Sequence, residues 1–287
     1  MEIKIISASV QGASHKRRGI ECQDSYKYFD LDNAVILAVA DGHGSESCPF
    51  SKSGSTIAVN TFCDLMYEYC NRYTEDMSKL LAYFNREGDT TVAREIDKEW
   101  KRRVEKCHKD NKREVIRNDK NEIDKTYIWH KYGTTLIGLV ITPTFYFAFQ
   151  IGDGDLLYLC HTEAKHIIQI EKILGVETHS LSSVESWKKS ITAIGHLSEE
   201  TGTKSFLLAT DGFANSYSNE SDFLQACSDY NNVIRKHGVC TVSKNLKNWL
   251  NETSENGSGD DITMLFAVLD GETNPNEFLK ENDFHVS

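Results

Sequence analysis

The chain has 287 residues, 39% of them hydrophobic, and a formal net charge of −11. The length suits one large domain or two small ones; the acidic balance argues against nucleic acid and anionic membranes, which are bound by Lys and Arg neutralising phosphates. No apolar run reaches the roughly 20 residues that cross a bilayer, Met1–Ile6 lacks a signal-peptide layout, and the eight cysteines show no C-x-x-C pairing or zinc-spaced histidines, so a cytoplasmic protein with reduced thiols is expected.

In chain order, residues 2–10 read as a first strand. Residues 12–24 form a polar, basic loop, either a solvated surface segment or an anion site. Arg17 and Arg18 lie between two glycines there and can grip a phosphate bidentately. Residues 25–32 and 34–41 suit a strand pair turning at Asp32-Asn33. Val35–Ala40 is apolar throughout and ends abruptly at Asp41-Gly42-His43-Gly44, placing a carboxylate and an imidazole at a sheet rim. Val59, Phe62, Cys63, Met66 and Cys70 then recur at helical spacing, and a second helix is expected near 75–85. Val92, Ile96, Trp100, Val104 and Cys107 mark an amphipathic helix with a solvated outer face.

The segment 109–125 is very polar, a helix end or a loop. Thr135–Thr142, Phe145–Ile151 and Leu156–Cys160 are apolar runs separated by Pro143-Thr144 and Gly152-Asp153-Gly154-Asp155, which predicts an antiparallel meander. Being apolar on both faces, these strands call for layers on both sides of the sheet. Residues 161–203 are weakly patterned. Lys204–Thr210 is a strand running into Asp211-Gly212, residues 220–235 and 241–253 are helices, and Ile262–Leu269 is a last strand after Asp260-Asp261. No Pro-, Gly- or Ser-rich linker cuts the chain, so one domain over 1–270 is expected, with 271–287 a loose polar tail.

Asp41 and Asp211 thus follow apolar strands, Asp260 precedes one, Asp153 sits in a turn, and Asp24 follows the arginine loop. Carboxylates bunched at one sheet edge repel unless a cation neutralises them. Hard divalent ions favour such oxygen ligands, and two close together can activate a water. Each Asp alone reads as a turn or cap residue; the joint pattern, with the resemblance described next, points to a two-metal phosphohydrolase. A nuclease is disfavoured by the net charge of −11.

The motifs Cys22-Gln23-Asp24, Asp41-Gly42-His43-Gly44, Tyr132-Gly133-Thr134-Thr135, Ile151-Gly152-Asp153, Ala209-Thr210-Asp211-Gly212 and Gly259-Asp260-Asp261-Ile262-Thr263 fall in order along the chain. Together they make it resemble the PP2C-type (PPM) metal-dependent serine/threonine phosphatases, in a compact bacterial-like version, over roughly residues 5–269. The resemblance implies an α+β fold, an αββα sandwich of two stacked antiparallel sheets flanked by helices. It implies hydrolysis of phosphoserine and phosphothreonine in proteins by a metal-activated water, without a phosphoenzyme, in opposition to a Ser/Thr kinase and as a monomer. Asp41 would bridge two Mn2+ or Mg2+ ions, the Gly42 carbonyl, Asp211 and Asp260 would complete the ligands, and His43 would protonate the leaving oxygen. Gln23, Asp24, Asp261 and Asn215 would support these groups, and Gly133, Thr134 and Thr135 would be structural.

Three departures from the family pattern stand out. The position five residues before Asp24, where relatives carry a phosphate-binding arginine, is Gly19, so Arg17 or Arg18 would have to substitute. Asn215 stands where relatives have an acid that holds a third ion with Asp153, so a third site is expected to be weak or absent. The Ser-Arg usual after Asp153 is Gly154-Asp155. These departures keep an alternative open: a pseudophosphatase that binds phosphoprotein without hydrolysing it.

Overall fold

The computed structural model describes residues 3–160, 163–170, 178–197 and 204–269. The segment 271–287 lies outside the described residues. So do parts of the 161–203 region. Among the described residues there are ten strands and eight α-helices. The strands form two five-stranded sheets in which every named pairing is antiparallel.

The first sheet holds β1 (Ile3–Val10), β10 (Ile262–Leu269), β9 (Lys204–Ala209), β6 (Asp155–Cys160) and β7 (Glu163–His166), in that spatial order. The second holds β2 (Ser25–Leu31), β3 (Ala34–Ala40), β4 (Leu136–Ile141), β5 (Phe145–Ile151) and β8 (Ile191–His196). Against the second sheet lie α2 (Ser51–Arg72), α3 (Met77–Glu87) and α4 (Ala93–Asp110); against the first lie α7 (Glu220–His237) and α8 (Val239–Asn256).

The all-apolar strands explain the four layers. Along β3, Ile36, Ala38 and Ala40 face the helices, while Val35, Leu37 and Val39 face the other sheet. In β9 and β10, Leu207, Ala209, Met264 and Phe266 go to the helical side, and Phe206, Leu208, Leu265 and Ala267 go between the sheets. Each strand therefore needs apolar residues on both faces, at about 1.5–3 kcal/mol per large side chain buried. The αββα sandwich expected from the sequence is present.

One expectation fails. β4 and β5 form a hairpin, but β6 does not continue a meander: it pairs with β9 and β7 in the other sheet. The turn at Gly152-Asp153-Gly154 is a crossing between layers. Gly152 takes φ +104, a left-handed value that favours glycine, and a Cβ on Gly154 would stand 2.7 Å from the Ala209 carbonyl oxygen. The basic loop also holds a short helix, α1 (Ala13–Arg18). β7 and β8 are edge strands, and their sequences carry little apolar signal.

The eight cysteines are free thiols, and Cys63 and Cys70 are buried in the face of α2. Among the described residues no helix is long and apolar enough to cross a membrane.

Candidate active site

β3 ends at Ala40 and hands the chain to Asp41. β9 ends at Ala209, and Asp211 opens the four-residue α6 (Asp211–Ala214). Asp260 and Asp261 enter β10, and Asp24 enters β2. These ends meet in one place. Asp41 is withdrawn from water and feels the charges of Asp24, Asp211 and Asp260, so its carboxyl is pushed well above the usual range.

Burial also raises Asp24, to about 7, with Asp261 adding to the effect and the Thr210 hydroxyl opposing it. That hydroxyl donates to Asp24 Oδ2 at 2.7 Å and accepts from Thr263 N at 2.9 Å. Asp24 Oδ1 is buried without a well-aligned hydrogen bond, although Asp41 is near enough to share a proton with it. Converging acids with an unsatisfied buried oxygen fit a hard divalent cation, whose charge would reverse these upward shifts.

The backbone is fixed around this cluster. Asp41 N donates to Thr135 Oγ1 at 3.0 Å, and the Asp41 carbonyl accepts from Thr134 Oγ1 at 2.7 Å and Thr135 N at 2.9 Å. Gly42 pairs with Thr134 across an isolated bridge, and a Cβ there would lie 2.8 Å from the Ser51 backbone. His43 N donates to the Gly133 carbonyl at 3.1 Å. A Cβ on Gly133 would stand 2.5 Å from the imidazole Cδ2, so glycine makes room for the ring. His43 lines a pocket of about 510 Å3 with Cys48, His130, His179, Ser182 and Val184.

The surrounding residues brace the acids. Asn215 Nδ2 donates to Asp211 Oδ2 at 2.8 Å. Asp261 accepts from Gly12 N at 2.6 Å and from Gln23 N at 2.7 Å, tying three segments together. Gln23 Oε1 accepts from Ser51 Oγ at 2.5 Å. Asp153 lies at the β5–β6 crossing, where its Oδ2 accepts from Thr178 at 2.7 Å. Arg17 and Arg18 stand exposed on the last turn of α1.

Thr210, Ser51 and His15 carry contacts that sequence reasoning did not assign. Thr210 stands beside Asp211 and His15 in the basic loop, but their partners are 186 to 246 residues away in the chain. No local pattern reports such a contact.

Asp24 makes a pH-dependent prediction. A carboxyl whose pKa is raised from 3.8 to about 7 contributes stability below pH ~4 that is lost as pH rises through ~7. In EDTA, Asp24→Asn should therefore gain on the parent between pH 5 and pH 8, by at least the roughly 2–4 °C that 1 kcal/mol produces in a domain this size. Thermal melts at the two pH values check it; an unchanged gap would contradict it.

A family model described as Protein phosphatase 2C matches residues 11–251. No curated protein is matched by sequence. Among solved structures, the S. agalactiae serine/threonine phosphatase is similar at 14% identity and a TM-score of 0.59, over 94% of this chain and 100% of that one. RsbX in complex with magnesium is similar at 17% identity and a TM-score of 0.52, over 93% and 96%. The catalytic domain of the serine/threonine protein phosphatase PstP, in complex with two manganese ions, is similar at 13% identity and a TM-score of 0.52, over 93% and 99%. At these identities the likeness is one of fold.

Proposed function

Because the chain belongs to the protein phosphatase 2C family, we propose that its acidic crevice hydrolyses phosphoserine and phosphothreonine in proteins, using two divalent cations, Mn2+ or Mg2+. The observation that carries this reading is the convergence of Asp41 and Asp24 from one sheet with Asp211 and Asp260 from the other, where burial and like charges raise the Asp41 carboxyl. The solved relatives RsbX and PstP hold magnesium and two manganese ions respectively.

Bound cations would offset the acids, lower the pKa of water and hold phosphate oxygens. The chain's own residues do the rest. Asp41, positioned by Thr134 and Thr135, would hold the cations together with Asp211, Asp260 and the Gly42 carbonyl oxygen. Asn215, with its amide on Asp211, brings no charge for a third ion beside Asp153. His43 holds a proton on a ring nitrogen and gives it to the departing serine or threonine oxygen. The thiols take no part, and no phosphoenzyme forms. On this reading the protein works as a cytoplasmic monomer that reverses a Ser/Thr kinase.

A second reading, phosphoprotein binding without hydrolysis, draws on Arg17 and Arg18, which are exposed on α1. The two part on a direct assay. Phosphate release from a phosphoserine peptide and from p-nitrophenyl phosphate is expected with Mn2+ and is abolished by EDTA. Binding of the peptide without turnover at saturating Mn2+ would favour the second reading.

A further inference from the structure

His15 is the third residue of α1, and its side chain is 14% exposed. Its Nε2 lies 3.7 Å from Asp260 Oδ1 and its Nδ1 lies 3.0 Å from Asp261 Oδ1. Nδ1 is buried and has no aligned hydrogen bond. His15, Asp260 and Asp261 each offer one donor atom, and all three atoms lie within 4.8 Å of one another.

The ring is held in place by its backbone. Gly12 N donates to Asp261 Oδ1 at 2.6 Å, Ala13 N to Ser254 Oγ at 3.0 Å and Ser14 N to the Gly259 carbonyl at 2.8 Å. A Cβ on Gly12 would fall 2.4 Å from the Asp260 carbonyl carbon, so only glycine lets α1 come this close to the acids. Asp261 is engaged by the Gly12 and Gln23 amides and is 3% exposed, whereas the Asp260 side chain is 48% exposed, its Oδ1 accepting from Asp261 N at 2.8 Å with a lone pair left for an ion. One ring nitrogen thus faces a fixed, buried carboxylate and the other faces an open one. A carboxylate beside one ring nitrogen is the arrangement that orients a metal-binding histidine, and here it needs only a small turn of the ring to align Nδ1 on Asp261. The 3.7 Å gap to Asp260 is wide enough for a first-row divalent ion, whose bonds to imidazole nitrogen and carboxylate oxygen are about 2.0–2.2 Å in the case of zinc.

We propose that His15 Nε2 is a nitrogen ligand of the divalent ion held by Asp260, with Asp261 holding the ring from behind. This rests on the reading of Asp260 as a metal ligand. A nitrogen in the ligand set disfavours Mg2+, which is usually bound through carboxylates, phosphates and waters, relative to transition metals such as Mn2+.

The test is pulsed electron paramagnetic resonance on the Mn2+-loaded full-length chain. Wild-type protein should show imidazole 14N modulation of the Mn2+ signal, converted to a 15N pattern by 15N-histidine labelling, and lost in His15→Gln. Calorimetry should show Mn2+ affinity falling about tenfold or more in His15→Gln, with Mg2+ affinity falling less. His15→Asn, checked for native circular dichroism, repeats the measurement with a shorter amide, and the isotope comparison needs no variant. Mn2+ bound by wild type with no histidine nitrogen signal overturns this proposal alone. So does a signal that persists in His15→Gln. No Mn2+ binding by wild type overturns the reading of the whole site as well.

Discussion

Asp41→Asn lowers turnover of a phosphoserine peptide by about 10³-fold or more, the equivalent of roughly 4 kcal/mol of transition-state stabilisation. The carboxylate sits among Asp24, Asp211 and Asp260 and feels the charge of each. An amide keeps the shape and the backbone bonds to Thr134 and Thr135, but it removes the anion that would bind the cations. The metal-free protein should respond in the opposite sense. Burial and three like charges hold the Asp41 carboxyl well above its ordinary range, so its ionised form opposes folding and Asn relieves that opposition. Activity lost together with a higher melting temperature in EDTA separates a metal-binding role from a structural one. Activity retained, or a variant that melts lower in EDTA, contradicts the assignment.

His43→Ala has the second largest expected effect, and its size should depend on the substrate. An alkyl oxygen such as that of serine leaves badly without a proton, and a positioned acid is worth about 10²–10⁴-fold there. p-Nitrophenolate leaves without one. The variant should therefore lose about 10²-fold or more in kcat on a phosphoserine peptide and little on p-nitrophenyl phosphate. The imidazole is packed against Gly133, with Cys48 beside it, so its position is set by the scaffold. Equal losses on both substrates would remove the acid role and leave a packing role.

Much of this was legible in the chain because the sandwich buries both faces of its central strands. Val35–Ala40 and Met264–Leu269 are apolar without alternation, and acids stand close by at Asp41 and Asp260-Asp261. What was not legible is non-local. Gly152-Asp153-Gly154 has the composition of a hairpin turn whether it closes a hairpin or crosses between sheets; the pairing of β6 with β9 decides it. β7 is a four-residue edge strand with only partly covered side chains. The six-residue α1 is held by Ser254, Gly259 and Asp261, more than 240 residues on. Hence the basic loop drew attention to Arg17 and Arg18, while the residue it brings to the acids is His15.

On the proposed function, the Asp41 cluster loaded with divalent cations hydrolyses a phosphate ester. Phosphate release from a phosphoserine peptide, followed across a Mn2+ titration for the wild type and Asp41→Asn side by side, tests it most directly. Saturable Mn2+-dependent turnover is expected for the wild type, with about 10³-fold less for the variant at every Mn2+ concentration. Turnover that is independent of Mn2+, or equal in the two proteins, would contradict it.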